Sequence, residues 1–599
     1  MEPTRIFDLL ENYRKDYAYK QDALAAKEKG SWVKYSSGEY VANVNYVSCG
    51  LLALGLKKGD RIVTISNNRP EWNFMDMGMA QAGIVHVPIY PTLSADDYDY
   101  ILKHAEPTLI FFSDKLLCDR IGPVARKVGA IKKIYSFNHV EGIANWKEIP
   151  ELGRQHEEKY KDEVEKIKKE INPGDMVTII YTSGTTGNPK GVMLSHRNIM
   201  SNVQAVTQLF DFNHTQRTLS FLPISHVFER TVNYYFQRIG ISIYYAESLG
   251  TISDNLKEIK PHIFITVPRL LEKVYDRIIG VGKDLKGIKK QIFFWAVNLG
   301  LKYKLNNQNS WFYDQRLKLA RKLVFKKWCE ALGGEVILAV AGGAALQPRL
   351  ATIFCAAGIP VIEGYGLTET SPVIAANRQP GKGEVRVGTV GPPIPGVEVR
   401  IAEDGEILCK GPNVMLGYYK EPGLTAEMID KDGWLHTGDI GVLVDGKFLK
   451  ITDRKKEIFK LSSGKYIAPQ PIENKLKESF FIEQAMVIGE NQKFTSALIS
   501  PNFPFLHNWC SLHDVKYRDN MELIQIPQVV ARFQREVNNI NKQLGVTEQI
   551  KRFRLVNEEW TPQSGELSPT LKVKRRFISE KYRQIIDEIF SMSKADEKE

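Results

Sequence analysis

The sequence has 599 residues, a formal net charge of +11 and a hydrophobic content of 43%, of which aromatic residues are a substantial part. A chain of this length exceeds one compact core, so a large body with at least one smaller domain is expected, and the apolar content excludes overall disorder. The basic charge suits anionic partners such as nucleotides or a phospholipid surface, but no recognition motif accompanies it, so nucleic-acid binding is not predicted.

Cysteines, the N-terminal segment and hydropathy narrow the class further. The six cysteines are scattered without a C-x-x-C pair, so neither a zinc site nor a disulfide framework is expected. The N-terminal segment has no apolar stretch typical of a signal peptide, and no run of about 18 uncharged apolar residues predicts a membrane span. We expect a cytoplasmic protein, or one that is peripheral on the inner face of a membrane. The oligomeric state stays open, with a homodimer as one alternative.

Short β-branched runs begin at about Arg61 and alternate with amphipathic stretches. Buried strands are predicted for RIVTIS, IVHVPIY, TLIFF, KKIYSF, MVTIIYTS, TLSFLP, ISIYYA, HIFITV and EVILAVAG. The intervening stretches EWNFMDMGMAQAG and YDYILKHAE have helical patterns. This alternation is typical of a parallel α/β sheet.

A basic helical insertion is predicted at about residues 270–330. Between Val281 and Lys327 many lysines and arginines face only two acids, Asp284 and Asp314, and aromatic residues lie among them. A solvated helical insertion packed on the body is one interpretation. Contact with an anionic membrane surface is the other, because bases and interfacial aromatic residues are both favoured there.

The residue composition of the sequence changes after Asp439. A turn-rich basic stretch, DGKFLKITDRKKEIFKLSSGKYIAP, precedes a helix-like segment, two strand-like segments and further helices. We therefore predict a body over residues 1–453 and a small α+β domain over residues 454–599, with ITDRKK as the joint.

The segment from Tyr181 to Gly191, YTSGTTGNPKG, directly follows the predicted strand MVTII. Glycines, hydroxyl groups and one lysine after a strand offer backbone N–H groups and a cation to a polyphosphate. The spacing is not that of a Walker A loop. The segment is therefore a candidate phosphate-binding loop.

This loop resembles that of the AMP-forming adenylating superfamily, which comprises acyl-CoA synthetases, peptide-synthetase adenylation domains and luciferases. Further matches follow in the family's order: LPISHVFER from Leu222, AGGAAL from Ala341, EGYGLTET from Glu363, GWLHTGD from Gly433, DRKKE from Asp453 and PTLK from Pro569. The resemblance implies a large N-terminal body of mixed and parallel β-sheets flanked by helices, with a barrel-like subdomain, and a small mobile α+β C-terminal domain.

The resemblance also implies a nucleotide site. Tyr365 would stack on adenine, Asp439 would accept hydrogen bonds from the ribose, and Arg454 would reach the ribose or the phosphates. Glu369 and Thr182 would hold Mg²⁺, a hard cation that prefers oxygen ligands. The other residues implied in ATP binding are Ser183, Gly184, Thr185, Thr186, Gly187, Lys190, Gly343, Ala344, Gly364, Gly366 and Thr368.

A second group of residues is implied in catalysis and in domain rotation. Lys572 would reach the carboxylate and the α-phosphate during adenylation, with Lys574 as its competitor. His226 would orient the carboxylate, although a structural histidine is nearly as good an interpretation. Lys456 matches the hinge, Gly464 matches the glycine of the coenzyme A channel, and Lys460 is a phosphate contact.

The implied reaction is activation of a carboxylic acid with ATP, followed by transfer of the acyl group to coenzyme A. The forms LPISHVFER, VPRLLEKVYDRI and SPTLKVKRR are similar to long-chain fatty acid–CoA ligases. Three alternatives remain: an acyl-AMP ligase that delivers to a carrier protein, a luciferase-like oxygenase, and a protein that binds acyl groups or nucleotides without turnover.

Overall fold

The computed structural model describes residues 2–182, 188–306, 308–380, 383, 385–568 and 571–591, except for the side chain of Leu249. These residues divide into two units. The first runs to Arg400 and also includes Leu408–His436 and Val444–Leu449. The second comprises Ile401–Ile407, Thr437–Leu443 and the chain from Lys450 onward. The boundary at residues 453 and 454 stays a prediction.

The strands of the described residues are short, and most contain β-branched or aromatic residues, which favour extended backbone. In chain order they are β1 (Leu24–Glu28), β2 (Ser31–Tyr35), β3 (Arg61–Ile65), β4 (Val85–Ile89), β5 (Leu109–Phe112), β6 (Lys133–Ser136), β7 (Ala144–Asn145), β8 (Met176–Thr182), β9 (Lys190–Ser195), β10 (Arg217–Ser220), β11 (Ser242–Tyr245), β12 (Ile263–Thr266), β13 (Leu338–Ala341), β14 (Val361–Gly366), β15 (Val373–Ala376), β16 (Glu398–Ile401), β17 (Glu406–Lys410), β18 (Gly417–Tyr418), β19 (Leu435–Val444), β20 (Phe448–Arg454), β21 (Phe459–Lys460), β22 (Tyr466–Ile467), β23 (Ile482–Ile488), β24 (Ser496–Pro501) and β25 (Arg552–Leu555).

Many helices begin at a capping residue, whose side chain accepts a hydrogen bond from an unpaired N–H of the first turn, or at a proline, which has no N–H to pair. In chain order they are α1 (Leu9–Lys15), α2 (Ser37–Ala53), α3 (Pro70–Gln81), α4 (Ala95–Ala105), α5 (Lys115–Ala125), α6 (Glu148–Gln155), α7 (Glu157–Glu170), α8 (His196–Thr207), α9 (Val227–Ile239), α10 (Ile252–Ile259), α11 (Pro268–Asp284), α12 (Gly287–Gly300), α13 (Trp311–Ala320), α14 (Lys326–Ala331), α15 (Pro348–Ala357), α16 (Pro422–Met428), α17 (Pro469–Leu476), α18 (Phe503–Leu512), α19 (Asn520–Leu523), α20 (Pro527–Asn541), α21 (Arg575–Lys581) and α22 (Arg583–Ser591). A π-helical turn over Arg321–Phe325 joins α13 to α14.

Two eight-stranded sheets form the centre of the first unit. One has the order β15-β14-β13-β12-β10-β11-β1-β2, and the other has the order β18-β9-β8-β4-β3-β5-β6-β7. The inner strands of both sheets are parallel, and antiparallel pairs such as β14–β15 and β8–β9 lie toward one end of each. Strands β4 and β5 are buried along their whole length, as expected for parallel strands covered on both faces.

The second unit has its own small sheets and core. Strands β23 and β24 pair antiparallel, and β25 pairs parallel with β24. Strands β21 and β22 form a short hairpin. Apolar residues of α17, α18 and α20 pack with the first of these sheets in one hydrophobic core. The four-stranded sheet with the order β16-β17-β19-β20 is not confined to this unit.

The predicted fold class is confirmed: the first unit has mixed and parallel sheets with flanking helices, and the second unit is α+β. Every run predicted as a buried strand contains one, and the basic insertion is helical. The N-terminal hairpin β1–β2 was not predicted. Its strands are short and partly polar, and β1 is placed by pairing with β11, more than 200 residues away, which no local pattern reveals.

Candidate active site

The candidate phosphate loop begins where β8 ends. Thr182, the last residue of β8, pairs with Lys190, the first residue of β9, across the antiparallel ladder. The predicted loop residues Ser183, Gly184, Thr185, Thr186 and Gly187 lie outside the described residues. Their role in ATP binding therefore stays a prediction, while the strand pair presents a hydroxyl group and an ammonium group at the same edge of the sheet.

Glu369 lies in a short 3₁₀ turn, Thr368–Thr370, that follows β14. The Tyr418 hydroxyl donates to Glu369 Oε1 at 2.8 Å, and the Lys190 ammonium lies 5.4 Å from the centre of the Tyr418 ring. The structure therefore brings Lys190 and Glu369 to the same tyrosine. Tyr418 was missed from the sequence, because an aromatic residue in a turn-rich stretch has no local signature of a site.

The oxygen donors in this cluster match the chemistry of magnesium. A hard divalent cation is held by one or two protein oxygens together with substrate phosphates, and the Glu369 carboxylate and the Thr182 hydroxyl are donors of that kind. Among the described residues no group of three or more histidine, cysteine or acidic side chains forms a metal cluster. Both ligand assignments stay predictions.

The segment from Gly364 to Thr368 is held by close backbone packing. A Cβ atom at Gly366 would lie 1.7 Å from the Pro372 carbonyl oxygen, so only glycine fits there, whereas Gly364 has only ordinary contacts. The Asn202 amide donates to the Thr370 carbonyl and accepts from the Val373 N–H at 2.8 Å. These bonds fix the turn that carries Glu369. Stacking of Tyr365 on adenine stays a prediction.

The segment after β13 contains Gly343 and Ala344, two of the residues predicted to bind ATP. Gly343 has a φ of +83°, a conformation that glycine adopts without strain, and Ala344 is exposed beside it. Two residues later, the Leu346 N–H donates to the Glu363 carboxylate at 3.2 Å. Burial raises the pKa of Glu363 to about 7. Glu363 of β14 thus bonds to the segment after β13, a contact that the sequence did not reveal.

His226 caps helix α9. Its Nδ1 accepts a hydrogen bond from the Phe228 N–H at 3.1 Å, which satisfies one of the unpaired donors at the helix start. Its ring lies 6.2 Å from that of Tyr90. The structural interpretation of His226 therefore has direct support, and its predicted role toward a carboxylate is untested.

Asp439 and Arg454 form an ion pair within the second unit. Arg454 Nε lies 3.2 Å from Asp439 Oδ1, and the Asp439 carboxylate is largely buried. The Asp439 N–H donates to the Thr437 hydroxyl at 3.1 Å, and that hydroxyl donates to the Ile407 carbonyl. The carboxylate predicted to hold ribose is thus fixed in direction by an arginine and by its own backbone.

The predicted joint and channel residues are exposed in the second unit. Lys456 lies in a turn after β20, and the Lys460 ammonium lies 5.5 Å from the centre of the Tyr466 ring. Gly464 has a φ of +84°, and a Cβ atom there would have only the Lys460 side chain within 4 Å. Within this unit glycine is therefore favoured by backbone conformation and not by lack of space. The roles of all three residues stay predictions.

Lys572 of the second unit is bonded to Ser568 through its backbone. Its backbone N–H donates to the Ser568 hydroxyl at 3.0 Å, and its carbonyl accepts from the Ser568 N–H at 2.8 Å. Leu571 has a φ of +62°, while Pro569 and Thr570 lie outside the described residues. The side chain of Lys572 is exposed. The competing Lys574 has its ammonium 5.7 Å from the centre of the Phe577 ring, a local partner.

The predicted residues divide between the units. The first unit contains Thr182, Lys190, His226, Gly343, Ala344, Gly364–Thr368 and Glu369. The second unit contains Asp439, Arg454, Lys456, Lys460, Gly464 and Lys572.

No helix of the described residues is long and apolar enough to span a membrane.

Comparison with known proteins gives matches along most of the chain. Residues 13–419 match the family of AMP-binding enzymes, and residues 456–594 match the AMP-binding enzyme C-terminal domain. A long-chain-fatty-acid–CoA ligase of Mycobacterium bovis is 30% identical, over 94% of this chain and 93% of the relative. Long-chain-fatty-acid–CoA ligase 1 of Homo sapiens is 33% identical, over 94% of this chain and 83% of the relative.

A solved structure supports the fold. The A domain of carboxylic acid reductase from Segniliparus rugosus, in complex with AMP and a co-purified carboxylic acid, has a TM-score of 0.73. It is 19% identical and covers 98% of this chain and 94% of that one, so the likeness shows a common architecture. With two family matches and relatives of at least 30% identity over most of their length, the chain belongs to the family of AMP-binding enzymes.

Proposed function

We propose that the protein activates a long-chain fatty acid with ATP to give acyl-AMP and pyrophosphate, and then transfers the acyl group to coenzyme A to give fatty acyl-CoA and AMP. The observation that carries the proposal is the cluster in which Glu369 and Lys190 meet at Tyr418, at the edge where β8 ends in Thr182. Relatives named as long-chain-fatty-acid–CoA ligases match nearly the whole chain, which supports the choice of acid and acceptor.

The first half-reaction joins two anions, because the carboxylate attacks the α-phosphate. Lys190 offers a cation beside the phosphates, and Lys572 neutralises charge that develops on the α-phosphate. Mg²⁺ held by Glu369 and Thr182 supplies further positive charge to the phosphates when it is bound. Asp439, directed by Arg454, holds the ribose and so orients the nucleotide.

The second half-reaction needs a different arrangement of the chain. The body over residues 1–453 binds ATP and the acid, and the domain over residues 454–599 rotates between the two steps about Lys456. A hinge needs only a few residues that absorb the backbone change, and Lys456 lies in an exposed turn. Rotation withdraws Lys572 and brings the Gly464 hairpin to the thiol of coenzyme A, with Lys460 near a phosphate.

The proposed reaction is tested by pyrophosphate release across acids from acetate to arachidate, with and without coenzyme A. We expect release that depends on Mg²⁺, is greatest with long-chain acids and is accompanied by thioester formation when coenzyme A is present. Release without any thioester would favour the acyl-AMP ligase alternative. Absence of pyrophosphate release with every acid would overturn the proposal.

We also propose that the helical insertion contacts an anionic membrane from the cytoplasmic side. Phe312 and Leu319 of α13 are exposed, Phe312 by 76%, and their spacing of seven residues places them on one side of the helix. Leu323, in the π-helical turn that follows, is also exposed. Exposed Lys318 and Lys322 flank them. Apolar side chains enter the headgroup region while bases pair with anionic lipid, so this face has the composition of an interfacial helix.

The membrane contact predicts a loss of vesicle binding when apolar side chains of this face are removed. The double variant Phe312→Ser, Leu319→Ser is expected to weaken cosedimentation with phosphatidylglycerol-containing vesicles about tenfold, because two inserted apolar groups are lost. Leu512→Ser, which changes a leucine of the second unit that is 73% exposed, serves as the control. The contact is disproved if the double variant and Leu512→Ser bind the vesicles equally well. It is also disproved if the unchanged protein binds pure phosphatidylcholine vesicles as well as anionic ones.

A further inference from the structure

Four consecutive residues at the start of α9 contact four separate segments of the first unit. Phe228 packs so close to Gly342, after β13, that a Cβ atom there would lie 2.7 Å from its ring. Glu229 accepts a hydrogen bond from Ser220 at the end of β10. The next two residues, Arg230 and Thr231, reach β8 and the Glu369 turn.

The contact of Thr231 is direct: its hydroxyl donates to the Ser371 carbonyl at 3.2 Å, one residue after the turn Thr368–Thr370. Arg230 makes the larger set of contacts. Its side chain is fully buried, and Arg230 Nη1 donates to the Thr178 hydroxyl of β8 at 2.7 Å. Helix α9 is thus bonded on one side to the turn of Glu369 and on the other to the strand that ends in Thr182.

A buried carboxylate holds the Arg230 guanidinium in place. Arg230 Nη2 donates to Asp76 Oδ1 at 2.6 Å, and Arg230 Nε donates to the Tyr234 hydroxyl, which in turn donates to Asp76 Oδ2. Asp76 belongs to α3, a helix buried along its whole length. The planar guanidinium therefore joins α3, α9 and β8 through three bonds in fixed directions.

The same carboxylate is bonded to His86 of β4. His86 Nδ1 lies 2.6 Å from Asp76 Oδ1, and His86 Nε2 lies 2.7 Å from the Thr64 hydroxyl. Burial lowers the pKa of His86 to about 4, whereas the Arg230 charge holds the pKa of Asp76 below its usual value although burial alone would raise it. A neutral His86 therefore donates from Nδ1 to an ionised Asp76, and its Nε2 accepts from the Thr64 hydroxyl. Thr64 is the member of the network that is furthest in bonds from Arg230.

This network is connected along the chain to two predicted site residues. The Arg230 N–H binds the His226 carbonyl, so Arg230 is one helical turn after the cap of α9, and Thr178 is four residues before Thr182 on β8. A buried ion pair is weak evidence for stability, because well-packed apolar residues often replace such a pair at no loss. Its contribution here is a fixed distance and direction between the helix and the strand.

We propose that Arg230, held by Asp76, is a positioning residue for adenylation. Through its bond to Thr178 of β8, Arg230 fixes the distance between Thr182 on β8 and His226 on α9. The proposal rests on the proposed adenylation activity, and it assigns to a residue outside the nucleotide site a part in the first half-reaction. A displacement of about 1 Å between reacting groups is enough to lower a rate many-fold.

The test compares three variants, in each of which one buried threonine is replaced by a residue of similar size. Thr178→Val removes the hydroxyl that joins Arg230 to β8, Thr178→Ser keeps that hydroxyl, and Thr64→Val removes an equally buried hydroxyl at the outer end of the network. Measured as pyrophosphate release with saturating acid, kcat of Thr178→Val is expected to fall about tenfold. Thr178→Ser should recover most of the rate, and Thr64→Val should stay within about twofold of the unchanged protein.

Thioester formation from supplied acyl-AMP and the Tm of each variant complete the test. We expect Thr178→Val to keep the second half-reaction. Its Tm should fall more than that of Thr64→Val, because the Thr178 hydroxyl accepts from Arg230 and also donates to the His86 carbonyl at 2.7 Å. Equal rates of adenylation for Thr178→Val and Thr64→Val would overturn the positioning role, as would failure of Thr178→Ser to recover activity. If the unchanged protein itself releases no pyrophosphate, the proposed function fails, and the variants are not needed to show it.

Discussion

Replacing Lys572 by alanine is expected to abolish acyl-AMP formation while thioester formation from supplied acyl-AMP is largely kept. Adenylation brings two anions together, and a cation aimed at the developing charge contributes about a hundredfold to a thousandfold in rate when it is preorganised. Two hydrogen bonds join Lys572 to Ser568, and both involve backbone atoms of Lys572. Truncation of the side chain leaves these two bonds in place.

The matched control is Lys574→Ala, because Lys574 offers the same charge two residues away but has its ammonium over the Phe577 ring. We expect this variant to keep adenylation within about threefold of the unchanged protein, as for loss of one exposed cation–π contact. Pyrophosphate release and conversion of acyl-AMP to thioester are measured for both variants. Equal loss of the two half-reactions in Lys572→Ala would contradict the assignment, and a larger loss in Lys574→Ala would transfer it to Lys574.

The sequence predicts the strands of the first unit well because their signal is local. A run such as MVTII is apolar, β-branched and followed by glycines, and it forms β8 followed by the candidate loop. The hairpin β1–β2 shows the limit of such reasoning. Its place in the sheet depends on pairing between β1 and β11, and a contact of that separation leaves no periodic pattern in the chain.

The site shows the same division between local and distant information. Each motif is a short local run, and the resemblance of these runs to the AMP-forming adenylating superfamily points to Thr182, Glu369 and Asp439. Tyr418 lies outside these motifs, and Arg230 is the last residue of LPISHVFER but receives no role from the sequence alone. Each acts on residues far away in sequence, Tyr418 on Glu369 and Arg230 on Asp76, and an aromatic residue or an arginine alone is more often part of an ordinary core or surface.

Glu369→Gln is expected to reduce adenylation by about a hundredfold or more at a fixed concentration of Mg²⁺. The amide has nearly the shape of the carboxylate, and its oxygen can still accept the hydrogen bond from Tyr418 that holds Glu369 at 2.8 Å. The charge that would bind a hard cation is lost, however, and a neutral amide oxygen is a much weaker ligand for Mg²⁺ than a carboxylate. The effect should thus arise from cation affinity and not from disturbed packing.

Titration with Mg²⁺ distinguishes these causes. In Glu369→Gln, the concentration of Mg²⁺ that gives half-maximal pyrophosphate release should rise well above that of the unchanged protein, while Tm changes little. Tyr418→Phe is the control, because it removes the hydrogen bond to the carboxylate and leaves the charge, so its dependence on Mg²⁺ should shift only slightly. If Glu369→Gln keeps the dependence on Mg²⁺ of the unchanged protein, Glu369 is not a ligand of the cation, and its bond to Tyr418 then serves only to fix the turn after β14.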